Sequence, residues 1–220
     1  MESAVTCCTV DRPLLICLCG CLCAGKSTLA ENIVRMGATA FLLKEDLSKH
    51  PIYGELQYGR AGWLETQLEF YVQWAQLLCS VQANPDDIVV VDHSIDVHHY
   101  VYSRVACDNH VISNWEWRVL CGAYRSFRAF TSSRFRVRNV VMRASFDTLL
   151  SRMKERSRDP GDEMHSAFIR AQRARFDSWA HCQQGALVVE EHEAALEWSR
   201  NAVLQQRIRR FLDSGAEGVN

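Results

Sequence analysis

The chain has 220 residues, 48% hydrophobic and 23% charged, with a net charge of −1. That length and apolar content suit a single α/β domain over residues 1–220, with a core over about 14–212. The balanced charge excludes a global field that would recruit nucleic acid or an anionic membrane, and no run approaches the roughly eighteen apolar residues of a membrane span. Glu2 and Asp11 stand where a signal peptide would carry basic and apolar regions, so the cytoplasm is the expected location, a host cell's cytoplasm if the gene is viral.

Residues 1–12 read as a short, mobile polar lead-in. Leu14-Leu15-Ile16-Cys17-Leu18-Cys19 is an apolar run of strand length, and Leu29, Ile33, Val34 and Met36 then recur at helical spacing until Gly37. Between them lies Gly20-Cys21-Leu22-Cys23-Ala24-Gly25-Lys26-Ser27, a G-x-x-x-x-G-K-[ST] loop followed by Thr28. Glycines let successive N–H groups curl round phosphates, and the helix that follows adds the positive end of its dipole. Lys26 would supply a point charge to the outer phosphates of ATP, and the Ser27 hydroxyl would help hold Mg²⁺. Of ten cysteines, Cys17, Cys19, Cys21 and Cys23 alternate straight into the loop. Structural zinc asks for C-x₂₋₄-C pairs, so these are read as small buried apolar residues.

Ala38 to Leu43 reads as a second strand, delivering Lys44, Glu45 and Asp46 to the rim where ligands collect in parallel α/β sheets. Ser48 to Gly62 is broken by Pro51, Gly54 and Gly59 and is expected to wrap a ligand. Trp63 to Val81 has helical spacing and ends in the turn Asn84-Pro85-Asp86-Asp87. Ile88-Val89-Val90-Val91 is a central strand ending at Asp92, an acid within reach of magnesium. His98 to Phe130 is expected to be helical, broken near Asp108-Asn109 and Gly122, with Trp115, Trp117, Val119 and Tyr124 as packing residues. Of His93, His98, His99 and His110, His98 and His99 are adjacent on the expected helix and point apart, with no carboxylate three or four residues on, which disfavours a metal site. Val137 to Met142 is a fourth strand and Phe146 to Arg156 a helix. Arg152, Lys154, Arg156 and Arg158 then form a basic cluster before the breaker Asp159-Pro160-Gly161-Asp162, expected to act as a lid over a triphosphate. Glu163 to Cys182 is a helix, Ala186 to Val189 a fifth strand, and Ala194 to Leu212 a last helix. Strands alternating with helices imply a parallel sheet with right-handed crossovers.

These pieces resemble the deoxyribonucleoside kinase family, which includes the herpesvirus-type thymidine kinases and the deoxycytidine and deoxyguanosine kinases. Glu45-Asp46-Leu47 is similar to the family's Glu-Pro-Val segment, with His50 where a tryptophan usually follows. Asp92-His93-Ser94 is similar to the Glu-Arg-Ser or Asp-Arg-His triplet, and Tyr100-Val101-Tyr102 to Tyr-Ile-Phe. Arg143 to Arg158 is similar to the family's strand, helix and Arg-x-Arg lid. Trp63 and Gln67 look like the Trp and Gln of the nucleoside-binding helix, one residue closer together than usual, and His98 stands where cellular members place an aspartate facing the base. The resemblance implies a P-loop kinase with a five-stranded parallel sheet and a basic lid, ATP-Mg²⁺ as donor, a deoxynucleoside as acceptor and a homodimer.

The expected reaction is phosphorylation of a deoxyribonucleoside 5′-hydroxyl, thymidine first and deoxycytidine second. Glu45 would be the base, Lys26, Arg152, Arg156 and Arg158 would hold phosphate oxygens, and Ser27 and Asp92 the metal. His93, in place of an arginine, is expected to be a cation that titrates near neutrality. The rivals are a thymidylate-like monophosphate kinase, which needs more acceptor-side cations than Arg60, and a nucleotide-binding switch, for which no guanine-reading Asn-Lys-x-Asp is present.

Overall fold

The computed structural model describes residues 12–36, 40–43, 62–155, 163–194 and 197–214. The expected mobile lead-in, Glu45, Asp46 and His50, nearly all of the Ser48–Gly62 stretch, and Arg156 with Arg158 and the breaker lie outside them.

Five strands, β1 (Leu14–Cys19), β2 (Ala40–Leu43), β3 (Ile88–Val91), β4 (Arg136–Met142) and β5 (Leu187–Val189), form one parallel sheet in the order β2-β3-β1-β4-β5. β1 is central: Leu14 is in register with both Ile88 of β3 and Arg136 of β4. A strand covered on both faces must be apolar on both, and side-chain alternation sorts its residues. Leu14, Ile16 and Leu18 enter a core with Leu29 and Ile33 of α1 (Lys26–Met36), Phe176 of α7 (Glu163–His181) and Ile208 of α9 (Ala202–Asp213). Leu15 turns to the opposite face, where Val89 and Val91 meet Tyr71, Trp74 and Leu78 of α2 (Trp63–Ser80) and Leu120 of α5 (Asn114–Arg134).

The middle of the chain departs from the expected helix of 98–130. After β3 the chain forms a short α3 (Ile95–Val97), a π-helix over His98–Ser103 and α4 (Arg104–Asp108). The break near Asp108-Asn109 is present. A capping box then starts α5: Ser113 Oγ accepts from Glu116 N–H, and Glu116 Oε2 accepts from Ser113 N–H at 2.6 Å. No break occurs at Gly122, since α5 runs through it for 21 residues and its neighbouring packing absorbs the roughly 1 kcal/mol that a helical glycine costs. Trp115 is 66% exposed and is not a packing residue, whereas Tyr124 is buried. The helix expected from Ala194 to Leu212 begins later, as α9, after a separate α8 (Glu191–Ala194) and a 3₁₀ turn (Trp198–Arg200), because Asn201 caps α9 by accepting from Leu204 N–H while donating to Glu193 O. The remaining helix, α6 (Phe146–Glu155), follows β4 as expected. Among the described residues no helix is long and apolar enough to cross a membrane.

His99, on the π-helix, belongs to the core between α2 and α5. Its ring stacks on Tyr124 at 4.1 Å and on Trp117 at 4.7 Å, and its Nδ1 lies 3.1 Å from the Tyr71 hydroxyl. Burial lowers its pKa from 6.5 to about 4. The folded state therefore binds this proton less readily than the unfolded chain, so the stabilisation is full above pH 6.5 and is lost as pH falls toward 4. Between pH 7.5 and 4 the wild type should lose about 3 kcal/mol more than His99→Phe, read from urea midpoints at both pH values. Equal losses in the two proteins would contradict a buried neutral imidazole.

Candidate active site

The loop Gly20–Gly25 leaves the C-terminal end of β1 at the centre of the sheet rim. Its conformation is set by close contacts: a Cβ at Gly20 would meet Ala24 Cβ at 3.1 Å and Met142 O at 3.2 Å, and Gly25 adopts φ +97°. Cys23 also has a positive φ, 62°, unusual for a residue with a side chain. Its buried side chain packs with Phe146, Met153 and Ile169 from α6 and α7, contacts that offset the backbone cost.

Two side chains bond the carbonyls of this loop, and a third ties the helix after it to the sheet. Lys26 Nζ donates to Gly20 O and Cys21 O, both at 2.9 Å. Arg152, on α6, donates to Cys23 O at 3.3 Å and Ala24 O at 3.4 Å. Ser27 Oγ donates to Asp92 Oδ2 at 3.0 Å, joining the first residues of α1 to the end of β3. Leu22, Ser27 and Thr28 are exposed, while Cys21, Cys23 and Ala24 are buried. Cys17, Cys19, Cys21 and Cys23 are free thiols, the last three buried, and they pack as small apolar groups. Among the described residues no group of three His, Cys, Asp or Glu side chains is placed to hold a metal ion.

Beyond Asp92 lies a second cluster. His98 meets His93 at 4.0 Å, Phe70 at 4.3 Å and Tyr102 at 5.5 Å between ring centroids. Gln67, one turn before Phe70 on α2, is buried and accepts from Ser103 Oγ at 2.9 Å. Trp63 packs at the edge of the α2 side of the core. His93 corrects the expectation of a titrating cation: burial first, then its neighbours His98 and Lys26, push its pKa well below 6.5, so the imidazole is neutral. A cavity behind it, lined by Cys17, Trp74, His93, Asp96 and Arg128 among others, measures about 30 Å³, far below the roughly 300 Å³ a small-molecule site needs, and cannot hold a nucleoside.

Several supporting residues had no readable signal in the sequence. Ser103 and the buried Asp96, which accepts from Tyr124 Oη at 2.9 Å and Arg128 Nη1 at 3.0 Å, depend on partners about thirty residues away. Glu191 accepts from the Thr148 hydroxyl and the Ser145 N–H, bonds that lower its pKa and pin the first turn of α6, from which Arg152 projects. A carboxylate just past the last strand was the one available clue.

The decisive observation is a sequence match: residues 16–213 fit the family model described as deoxynucleoside kinase. The chain belongs to the deoxynucleoside kinase family. It is therefore a kinase that acts on nucleosides, and its P-loop, five-stranded parallel sheet and flanking helices have the architecture the family shares. No curated protein matches the chain's sequence. Among solved structures, deoxyadenosine kinase from M. mycoides with bound dCTP is 15% identical, with a TM-score of 0.68 over 90% of this chain and 100% of that one. The same enzyme with dATP bound is 15% identical with a TM-score of 0.66, over 89% and 99%. With the products dCMP and dCDP it is 14% identical with a TM-score of 0.65, over 91% and 98%. At that identity the likeness extends to the fold alone.

The neutral state of His93 can be checked without turnover. In an NMR titration between about pH 5.5 and 8, where an ordinary imidazole changes charge, the His93 ring resonances should stay at their neutral positions. A midpoint near 6.5 would contradict the burial.

Proposed function

We propose that the chain transfers the γ-phosphoryl group of ATP to the 5′-hydroxyl of a deoxyribonucleoside, with thymidine the better acceptor and deoxycytidine the second. The observation that carries this reading is the juxtaposition at one sheet rim of the P-loop, with Lys26 and Arg152 on its carbonyls, and the aromatic and amide cluster of Phe70, Gln67 and His98. One half has the chemistry for phosphates, the other for an uncharged ring.

Lys26 and Arg152, with Arg156 and Arg158 from the lid segment, hold the oxygens on which negative charge grows as the phosphoryl group moves. Positioning and electrostatics supply most of the rate in such transfers. Glu45 accepts the proton of the attacking 5′-hydroxyl. The Ser27 hydroxyl and Asp92 carboxylate are hard oxygen donors drawn together, the type of ligand pair that suits Mg²⁺. When bound there, the ion neutralises phosphate charge. The donor loop residues Gly20, Cys21, Leu22, Cys23, Ala24, Gly25 and Thr28 complete the nucleotide site. Neutral His93 gives no charge to an acceptor phosphate, which favours a nucleoside over a nucleoside monophosphate. Trp63, Gln67, His93 and His98 form the acceptor side. A carboxylate at position 98 would repel the thymine carbonyl oxygen, whereas histidine can donate to it. We assign a homodimer on the same family grounds.

Two measurements test the reading. Glu45→Gln keeps the shape but not the basicity, so kcat should fall by about 10² to 10⁴ with a smaller change in nucleoside KM; if Asp46→Asn is inactive instead and Glu45→Gln is not, the base is Asp46. A panel of the four deoxynucleosides and thymidine monophosphate should give thymidine the highest kcat/KM, purine nucleosides lower values and the monophosphate none. Thymidine more than about tenfold below deoxycytidine or deoxyguanosine would overturn the base assignment.

A further inference from the structure

The π-helix changes which residues share a side. Its hydrogen bonds run from i to i+5, so residues five apart, His98 and Ser103, come onto one face, where α-helical winding would align residues three or four apart. Opposite that face, α2 presents Gln67 and Phe70, which are three apart and so neighbours on a helix surface. The contacts pair off accordingly: Phe70 with His98 at 4.3 Å, and Gln67 with Ser103 at 2.9 Å.

Ser103 is 0% exposed and Gln67 is 5% exposed. Among the described residues, Gln67 Oε1 is the acceptor that the Ser103 hydroxyl bonds. This fixes the sense of the amide. If Gln67 turned over, its NH₂ would face Ser103; the hydroxyl would have to accept from it and turn its own proton back to a carbonyl oxygen of its own helix, a bond that destabilises helices slightly. The observed sense, with the amide oxygen accepting from the hydroxyl, avoids that cost. The amide is thereby held with Oε1 toward Ser103 and its two N–H donors on the side away from it.

We infer that Ser103 is a specificity-determining positioning residue: it orients the Gln67 amide so that Nε2, a donor, meets the acceptor nucleobase. The inference rests on the deoxynucleoside-kinase reading of the site. The atom of the base opposite Gln67 is therefore an acceptor, a carbonyl oxygen or an unprotonated ring nitrogen. Thymine and cytosine exchange donor and acceptor at N3 and at the 4-substituent, so in a common pose a fixed amide suits one of them and a free amide suits both. Ser103 makes the site choose.

The test compares kcat/KM for thymidine and deoxycytidine in the wild type, Ser103→Ala and Ser103→Thr. The wild type should separate the two bases by at least about tenfold, and Ser103→Ala should compress that ratio toward one, through KM rather than kcat, as expected when one buried hydrogen bond sets the preference. Ser103→Thr keeps the hydroxyl and should keep the ratio. Gln67→Glu provides a second arm that leaves Ser103 in place: its outward oxygen is an acceptor, so the base preferred by the wild type should lose at least about tenfold relative to the other. A wild-type ratio near one, or a Ser103→Ala variant that loses activity equally on both bases, overturns the inference while leaving the kinase reading intact. If Ser103→Ala does not fold, an unchanged preference in Gln67→Glu overturns it alone. A wild type that phosphorylates no deoxynucleoside overturns the reading beneath it.

Discussion

β1 is hydrogen-bonded along both of its edges, and most of the molecule follows from that. A strand with parallel neighbours on either side cannot be reached by a hairpin, so every connection must cross a face of the sheet, and the helices that do so cover it. β1 is then buried from all directions, which is why its six residues carry no charge. The loop that leaves it emerges at the middle of the rim, beside the end of β3. Ser27 and Asp92, 65 positions apart, meet for this reason and no other.

The loop is held from below as well as by its own glycines. Lys26 and Arg152 both bond its carbonyl oxygens, and Cys23 is anchored in an apolar cluster formed by α6 and α7. The backbone that would surround phosphates is thus packed against the same helix that carries Arg152. Glu191 adds a further restraint by bonding the start of α6. Arg152 thus reaches the loop from a helix fixed at its N-terminus to the end of the sheet.

The sequence disclosed the parts governed by short-range rules. The G-x-x-x-x-G-K-S spacing, the β-branched run Ile88 to Val91 and the helical period after Gly25 each state their structure locally; the strands β1 and β3 were located to the residue, and α1 at its end, Met36. Gly122 misled because glycine weakens a helix on its own account, whereas the packing of α5 along α2 keeps the helix whole. His93 misled because a histidine in an arginine's place suggests a charge, and only its burial against His98 decides otherwise. The π-helix has no local signal at all, since its winding is fixed by aromatic contacts with α2 and α5. Ser103 was therefore silent, its bond to Gln67 being visible only once two distant helices meet.

The cysteines entering the P-loop have one more consequence. A thiol attacks electrophiles and is oxidised as its thiolate. Burial raises the pKa values of Cys17, Cys19 and Cys21, the last to about 11, so that about one Cys21 in 10⁴ is ionised at neutral pH. These sulfurs behave as hydrocarbon. Cys79 and Cys182, at the exposed ends of α2 and α7, are the thiols open to solvent among the described residues. An alkylating compound would spend itself there and leave the loop unmarked, which makes this P-loop, for all its sulfur, a poor place to aim a covalent inhibitor.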